Sequence, residues 1–445
     1  MKDLARLTLS IFVFLTITFT TAKAQQAIAL GELIDITLEN NYSLRIISNQ
    51  QQIAINNFTR GNAGLLPSVD LRSGFSGNIN NSEQRFSNDT QNSLRNIHNT
   101  NTQASLQAGW MLFDGFRGQI RYRQLEELMA LSEITTRISI ENTIARVASE
   151  YYYFVQQRQL FSNLQYAVDL SRERVRIEEE HFLLGSGSKV RLLQAQVNLN
   201  ADSSRLERQY EVLAANRVRI AELMALPDLN ENFIPDDTTI VINKILNYNE
   251  LLSQAMENNA SVIAAKHNLV ISEQDLDMTR SRRYPYLNLT SGYGYNYNTF
   301  QTGTLTSQQT WGMNYALTLG INLYNGGNQR RQESNARIGI ENRQLMLEQT
   351  IQEVTADLIT IFNSYLNNLR LLELETQNLD VARENLDIAF DRYRLGALSG
   401  FELREVQKNL LEAEERLLSI QYQAKMAEIS LMQITGRIIG YQGVL

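Results

Sequence analysis

The sequence predicts a mainly α-helical protein with a β-barrel portion. It combines duplicated long-helix coiled-coil hairpins with four transmembrane β-strands that other copies of the chain must complete. Three observations predict this. Two stretches of about 65–70 residues almost lack the residues that break helices. Four segments alternate apolar and polar residues at strand period. The turn that ends each long stretch is written twice, 211 positions apart.

The long helices rest on missing punctuation. Residues 119–184 hold no glycine, residues 328–395 hold only Gly339, and Pro67, Pro227, Pro235 and Pro285 all fall outside both. At 1.5 Å per residue each helix runs ~100 Å, against about 11–12 residues for an ordinary globular helix.

Residues 185–196 read GSGSKVRLLQAQ and residues 396–407 read GALSGFELREVQ. Gly185 and Gly396 follow Phe182-Leu183-Leu184 and Tyr393-Arg394-Leu395, where a helix C-cap needs positive φ. Ser188 matches Ser399, and Gln196 matches Gln407. Past the second turn the apolar positions are Leu403, Val406, Leu410, Ala413, Leu417, Ile420, Ala424, Ala427, Leu431 and Ile434. Their spacing alternates between three and four, a coiled-coil seam. Past the first turn the seam is Leu199, Leu206, Tyr210, Leu213, Ile220 and Met224, with Arg217 intruding. Each turn is therefore expected to join a long helix to a shorter antiparallel partner.

The strands read as follows. Val69, Leu71, Phe75 and Ile79 alternate with Asp70, Arg72, Gly74, Ser76 and Asn78. Leu106, Ala108, Trp110 and Leu112 alternate with Gln107 and Gly109. Leu287, Leu289, Tyr293, Tyr295 and Tyr297 alternate with Asn288, Thr290, Gly292, Gly294 and Asn296. The fourth set runs through Trp311, Met313, Tyr315, Leu317, Leu319, Ile321 and Leu323. One face is apolar with aromatic ends; the other is rich in Gly, Asn, Ser and Thr, as a wet lumen requires and a sandwich exterior does not. Segments of about ten residues suit tilted transmembrane strands. The polar stretches 80–103 and 298–310 are expected to be outer loops, with the long helices in place of inner turns.

The duplication then extends over the chain. Leu33…Glu39-Asn40-Asn41 matches Leu251…Glu257-Asn258-Asn259. Pro67 matches Pro285, Gly74 matches Gly292, and Leu112-Phe113-Asp114-Gly115 matches Leu323-Tyr324-Asn325-Gly326. The first repeat is placed at residues 25–229 and the second at 248–445, with 230–247 as a linker. Residues 1–24 are expected to be a signal peptide: Lys2 and Arg6 precede an apolar run, and Ala22-Lys23-Ala24 supplies the cleavage site.

Composition removes other classes. The chain has no cysteine, so disulfides, thiolate nucleophiles and a lipid-anchor cysteine are excluded. Three scattered histidines (His98, His181, His267) offer no ligand spacing, and neither a metal nor a cofactor is expected. A net charge of −7 without a basic block argues against nucleic acid. No nucleophile–base constellation or phosphate loop points to an enzyme. A secreted coiled-coil structural or adhesion protein is the alternative, but it leaves four symmetrically placed alternating strands without a role.

Four strands cannot close a barrel, since the smallest membrane barrels have eight. An open edge in lipid costs several kcal/mol per unpaired backbone group. Two, three or four copies would give eight, twelve or sixteen strands. A barrel continuous with a long helical tube describes a conduit across the periplasm.

The doubled tips at 181–196 and 393–407, the strand ends Phe113-Asp114-Gly115 and Tyr324-Asn325-Gly326-Gly327, and the paired Glu-Asn-Asn starts resemble the TolC-like outer membrane efflux protein family. The resemblance covers essentially the whole mature chain. It implies a homotrimer with a shared twelve-stranded barrel in the outer membrane and a helical tunnel in the periplasm. It also implies a passive exit duct of a tripartite efflux or type I secretion system, docked by a periplasmic adaptor that couples it to an inner-membrane transporter. Docking would fall on Gly185, Ser186, Gly187 and Ser188 and on Gly396, Ala397, Leu398, Ser399 and Gly400. The gate would be Glu402 and Glu405, with Arg191 and Lys189 from the first tip. The chain departs from the family in having Glu for Asp there, and basic residues in the first tip. Acids at a helix start also complement its macrodipole, and both roles can coexist.

Overall fold

The computed structural model describes residues 26–441; the expected signal peptide lies outside the described residues. In chain order the elements are β1 (Gln26–Ile28), α1 (Leu30–Asn40), α2 (Tyr42–Asn57), β2 (Ser68–Arg85), β3 (Gln91–Phe113), α3 (Arg117–Leu183), α4 (Lys189–Leu223), β4 (Phe233–Pro235), α5 (Tyr248–Asn258), α6 (Ala260–Ser281), β5 (Tyr286–Thr299), β6 (Ser307–Gly320), α7 (Asn328–Arg394) and α8 (Gly400–Ile434), then a single 3₁₀ turn. The two long helices are 67 residues each and the two return helices 35 each. Among the described residues no helix is long and apolar enough to cross a membrane. The chain forms two compact units, and each draws on both halves of the sequence.

One unit comprises Ser48–Thr136 and Ser261–Ile351. Its centre is an antiparallel sheet in the order β2-β3-β5-β6. The register aligns the alternations that the sequence shows separately. Leu71 pairs with Leu106, Leu106 with Tyr293, and Tyr293 with Met313. Because successive side chains alternate faces, the apolar residues of all four strands share one face. The opposite face collects Gly74, Gln103, Asn296 and Thr310 by the same pairings. Most of the apolar face is uncovered: Leu71 is 78 % exposed, Phe75 74 %, Tyr315 80 % and Leu319 71 %. A patch of that kind on a folded chain needs a partner or a membrane.

The sheet corrects three expectations. Residues 80–103 are not a loop: β2 continues to Arg85 and β3 starts at Gln91, leaving a five-residue turn. Likewise only residues 300–306 separate β5 and β6. Apart from Leu94 and Ile97 the extended ribbon is polar on both faces, so its alternation vanishes although its backbone pairing persists. Third, a bulge between Met111 and Phe113 reverses the alternation, and Phe113 rather than Leu112 faces Leu287. At the far edge β6 ends at Gly320, before Ile321 and Leu323.

The other unit comprises Arg137–Ala260 with the flanking segments up to Ile47 and from Gln352. Its main core gathers Leu33, Ile144, Val147, Tyr151, Tyr152, Phe154, Ile220, Met224 and Ile438. Residues 230–247 carry a strand: β4 pairs in parallel with β1, Gln26 opposite Phe233 and Ile28 opposite Pro235. Phe233 and Ile240 are buried in that core. A second cluster packs Ile177, Leu379, Leu386, Tyr393, Leu403, Leu410 and Ala413, where the helical hairpins approach their tips.

This unit also holds a buried ion pair. Lys425 Nζ lies 2.9 Å from Glu428 Oε1, and both side chains are about 95 % buried, at 4 % and 5 % exposure. The ammonium sits over the rings of Tyr152 and Tyr441, 5.1 and 5.5 Å from their centroids. The second carboxylate oxygen of Glu428 accepts from the Asn243 amide at 3.0 Å, and the Tyr365 hydroxyl donates to the Asn243 carbonyl. One α8 turn thereby fixes the connection between the halves. Burial pushes the Tyr152 phenol up to about 12 and Tyr441 higher still, so both stay protonated.

Candidate functional site

Each tip is built by local rules. Gly185 and Gly396 have φ of +74° and +72°, a conformation costly for any residue with a Cβ. The turn then closes identically: the amide after each glycine donates to a carbonyl five residues back, Ser186 to His181 at 2.9 Å and Ala397 to Arg392 at 2.8 Å. Ser188 caps α4, its side chain accepting from the Arg191 amide, and Ser399 caps α8, accepting from the Glu402 amide. At the second tip the cap is reciprocal, with Glu402 accepting from the Ser399 amide at 2.9 Å.

The predicted site residues take these positions. Lys189 and Arg191 stand exposed on the first turn of α4; Glu402 on the first turn of α8 and Glu405 on its second also stand exposed, on either side of the buried Leu403. Hydrogen bonding from the Ser399 amide holds the Glu402 carboxyl below the usual carboxylate range. A carboxyl depressed in the folded state stabilises above its unfolded pKa and loses that effect as pH falls through the folded one. The start of α8 is therefore expected to fray on acidification. Ser399→Ala should weaken the same turn by about 1 kcal/mol at neutral pH. Glu402→Gln should keep the cap, since Gln serves at this position, and should remove the pH dependence. Hydrogen exchange across residues 399–407, with rates corrected for pH, checks all three.

Both tips also carry apolar side chains in the open: Leu183, Leu184 and Val190 on the first, Leu395 and Phe401 on the second, each 75–83 % exposed.

Just behind the tips lies a polar joint that the sequence did not reveal. Asp202 of α4 is 2 % exposed. It accepts from both terminal nitrogens of Arg404 of α8 at 2.7 and 2.8 Å, and from the Ser171 hydroxyl of α3 at 2.6 Å. Arg174 of α3, also buried, donates to Gln407 at 3.0 Å and to the Gly400 carbonyl at 3.1 Å. The Tyr393 hydroxyl of α7 donates to Glu178 of α3 at 2.6 Å. Burial lowers the Arg174 pKa and raises that of Tyr393. The two hairpins are thus tied by charge-assisted bonds. Arg174 Nε, Glu178 Oε2 and Gln407 Nε2 are buried without a hydrogen-bond partner, so part of this joint is under-satisfied.

A seven-residue spacing on α4 could have pointed to the joint. The buried residues of α4 include Ala195, Asp202, Gln209 and Asn216, seven apart, beside Leu213 and Ile220. Gln209 donates to Gln157 of α3, and Asn216 to Glu150. Tyr210, expected in this seam, is 60 % exposed.

Paired helical hairpins, capped alike, together with an antiparallel sheet bearing one apolar and one polar face, define an outer-membrane channel of the barrel-and-helix class. The outer membrane efflux protein model matches residues 33–225 and 251–437, and the chain belongs to that family. It is similar to the outer membrane protein TolC of Vibrio cholerae, 21 % identical over 429 residues, covering 94 % of this chain and 93 % of that protein. It is also similar to the cation efflux system protein CusC of Escherichia coli, 23 % identical over 300 residues, covering 66 % and 64 %. Among solved structures, the open state of the Neisseria gonorrhoeae MtrE outer membrane channel matches with a TM-score of 0.73 at 17 % identity, covering 92 % of this chain and 89 % of that one; this likeness shows the fold. The protein is an outer-membrane efflux channel, with its helical portion in the periplasm.

Proposed function

We propose that three copies share one twelve-stranded barrel and one helical tunnel, and that the tips dock a periplasmic adaptor coupled to an inner-membrane transporter. The observation that supports the proposal is the four-stranded sheet, whose apolar face is mostly bare and whose outer strands β2 and β6 each have one neighbour among the described residues. Transport is passive; the chain supplies a path and no catalytic step, cofactor or metal. The halves 25–229 and 248–445 are read as a duplication, supported by their equal pairs of long and return helices.

At the periplasmic end, Gly185, Ser186, Gly187 and Ser188 with Gly396, Ala397, Leu398, Ser399 and Gly400 form the docking surface. The exposed leucines, Val190 and Phe401 beside them give it an apolar character. Glu402 and Glu405, three copies of each, form two anionic rings that favour cations, and Lys189 and Arg191 stand on the facing tip to counter them. Cation selectivity of the purified channel in planar bilayers tests this. Glu402→Gln with Glu405→Gln keeps the helix cap and removes the rings, so selectivity and block by multivalent cations should both fall. Unchanged selectivity and block would confine these residues to starting the helix. Cross-linking of an adaptor at Ser188 and Ser399, but not at residues 86–90, tests docking.

A further inference from the structure

Each half of the chain sets the turn before its first membrane strand against the start of its long helix. Pro67 matches Pro285, 218 positions on, and Arg117 at the start of α3 matches Asn328 at the start of α7, 211 positions on. In the first half the junction is apolar and closed. A Cβ on Gly118 would lie 2.6 Å from Leu65 Cδ2, and the Tyr122 ring stacks on Phe58 at 4.7 Å. In the second half Arg283 stands in place of Leu65, Gln329 in place of Gly118 and Glu333 in place of Tyr122. Arg282 replaces Gly64, and Arg330 replaces Gln119. The junction has become polar, and a cavity of about 770 Å³ opens in it.

Three exposed guanidinium groups, Arg282, Arg283 and Arg330, line this cavity, and none of the described residues lining it is acidic. Arg283 is neutralised: its Nε and Nη2 donate to the two carboxylate oxygens of the buried Glu333. Arg282 bonds only a neutral group, the Gln332 amide oxygen at 3.0 Å. Arg330 has no hydrogen bond or ion pair among the described residues. Two positive charges are therefore left without a counter-charge. They belong to side chains and not to the helix end, where the Gln329 amide is taken by the Asn325 side chain and the Arg331 amide by the Gly327 carbonyl, both at 3.2 Å.

The opposite wall is apolar. After β6 ends at Gly320 the chain reaches the cavity through Leu323 and Tyr324, which are 88 % and 84 % exposed. They extend the bare face of Leu317 and Leu319. The cavity thus stands where membrane strands give way to periplasmic helices, at the height of the inner-leaflet headgroups, and a tyrosine there suits the interface. We infer that it holds the phosphodiester of an anionic phospholipid. Arg282 and Arg330 bind the phosphate oxygens, for which guanidinium is the matched donor, and the acyl chains lie along Leu323, Leu319 and Leu317. Basic recesses at a membrane surface collect anionic headgroups in this way. A zwitterionic lipid would bring an ammonium that no acid in the lining meets. Inorganic phosphate would leave Leu323 and Tyr324 in water. The first half, with Leu65 in the gap, has no such site.

The test uses the whole channel, stripped of lipid in a non-ionic detergent. Native mass spectrometry follows binding of dihexanoyl phosphatidylglycerol and dihexanoyl phosphatidylcholine, with inorganic phosphate as competitor. Phosphatidylglycerol should bind about tenfold more tightly than phosphatidylcholine, and inorganic phosphate in equal amount should not displace it. Arg282→Gln with Arg330→Gln should bring the two lipids level, with helical circular dichroism unchanged. Arg282→Lys with Arg330→Lys should keep the preference, which separates charge from folding. Arg343→Gln, an exposed arginine farther along α7, should bind as the parent does. Equal binding of the two lipids by the parent, an unaltered preference in the Gln pair, or its loss in the Lys pair or in Arg343→Gln overturns the site. Displacement by inorganic phosphate overturns the lipid as its source.

Discussion

Replacing Lys425 by Met is expected to destabilise the protein by about 3–5 kcal/mol, because it leaves the Glu428 carboxylate buried without its counter-charge. Water cannot stand in for the lost ammonium, since both side chains are almost wholly enclosed. Glu428 is also held by the Asn243 amide, and the ammonium over Tyr152 and Tyr441 closes the site toward the C-terminal residues. The loss should therefore include loosening of the segment around Asn243. Lys425→Met with Glu428→Gln removes both charges and keeps an acceptor for Asn243. That double variant should recover most of the loss, because a buried pair replaced whole is often neutral. Thermal unfolding followed by helical circular dichroism distinguishes the cases. A single variant as stable as the parent would contradict the burial argument.

Arg404→Ala should produce the second large effect, about 3 kcal/mol locally, through the stranded carboxylate of Asp202. Asp202 would keep only the Ser171 hydroxyl. Asp202→Asn should cost less, because the amide oxygen still accepts and no bare charge remains. Since Arg404 lies on α8 and Asp202 on α4, the loss falls on the joint between the two hairpins. The under-satisfied atoms of Arg174, Glu178 and Gln407 nearby would gain water as the hairpins part, so loosening should spread to them. Arg404→Ala is expected to raise single-channel conductance and to expose the tips to trypsin, with barrel insertion unchanged. A conductance equal to the parent's would show that this joint does not hold the hairpins together.

The long helices were legible because helix length is limited by local breakers, and their absence can be read directly; the structure places the ends within two residues of the expected ones, Arg117–Leu183 and Asn328–Arg394. The tips were legible for a similar reason, since positive φ selects glycine and an N-cap selects serine. The membrane face was legible because lipid on one side and water on the other enforce alternation. That signal ends where both faces are polar, which is why Asn80–Arg85 and the first part of β3 read as loop. A three-residue strand such as β4 has no period to detect. Asp202, Arg404 and Lys425 were hidden for another reason. Each depends on a partner brought close by tertiary packing, and a charged residue looks the same in sequence whether it ends up solvated or enclosed.

The bare edges of β2 and β6 bear on how the protein is made. On the shared-barrel proposal, a newly exported chain carries two strands with one bare edge each and an uncovered apolar face. On that proposal its membrane-ready state depends on encounters with sister chains, so stability follows protein concentration rather than sequence alone. Insertion should rise more steeply than in proportion to synthesis. A cell making too little would accumulate orphan chains, open to strand-by-strand aggregation and to proteases.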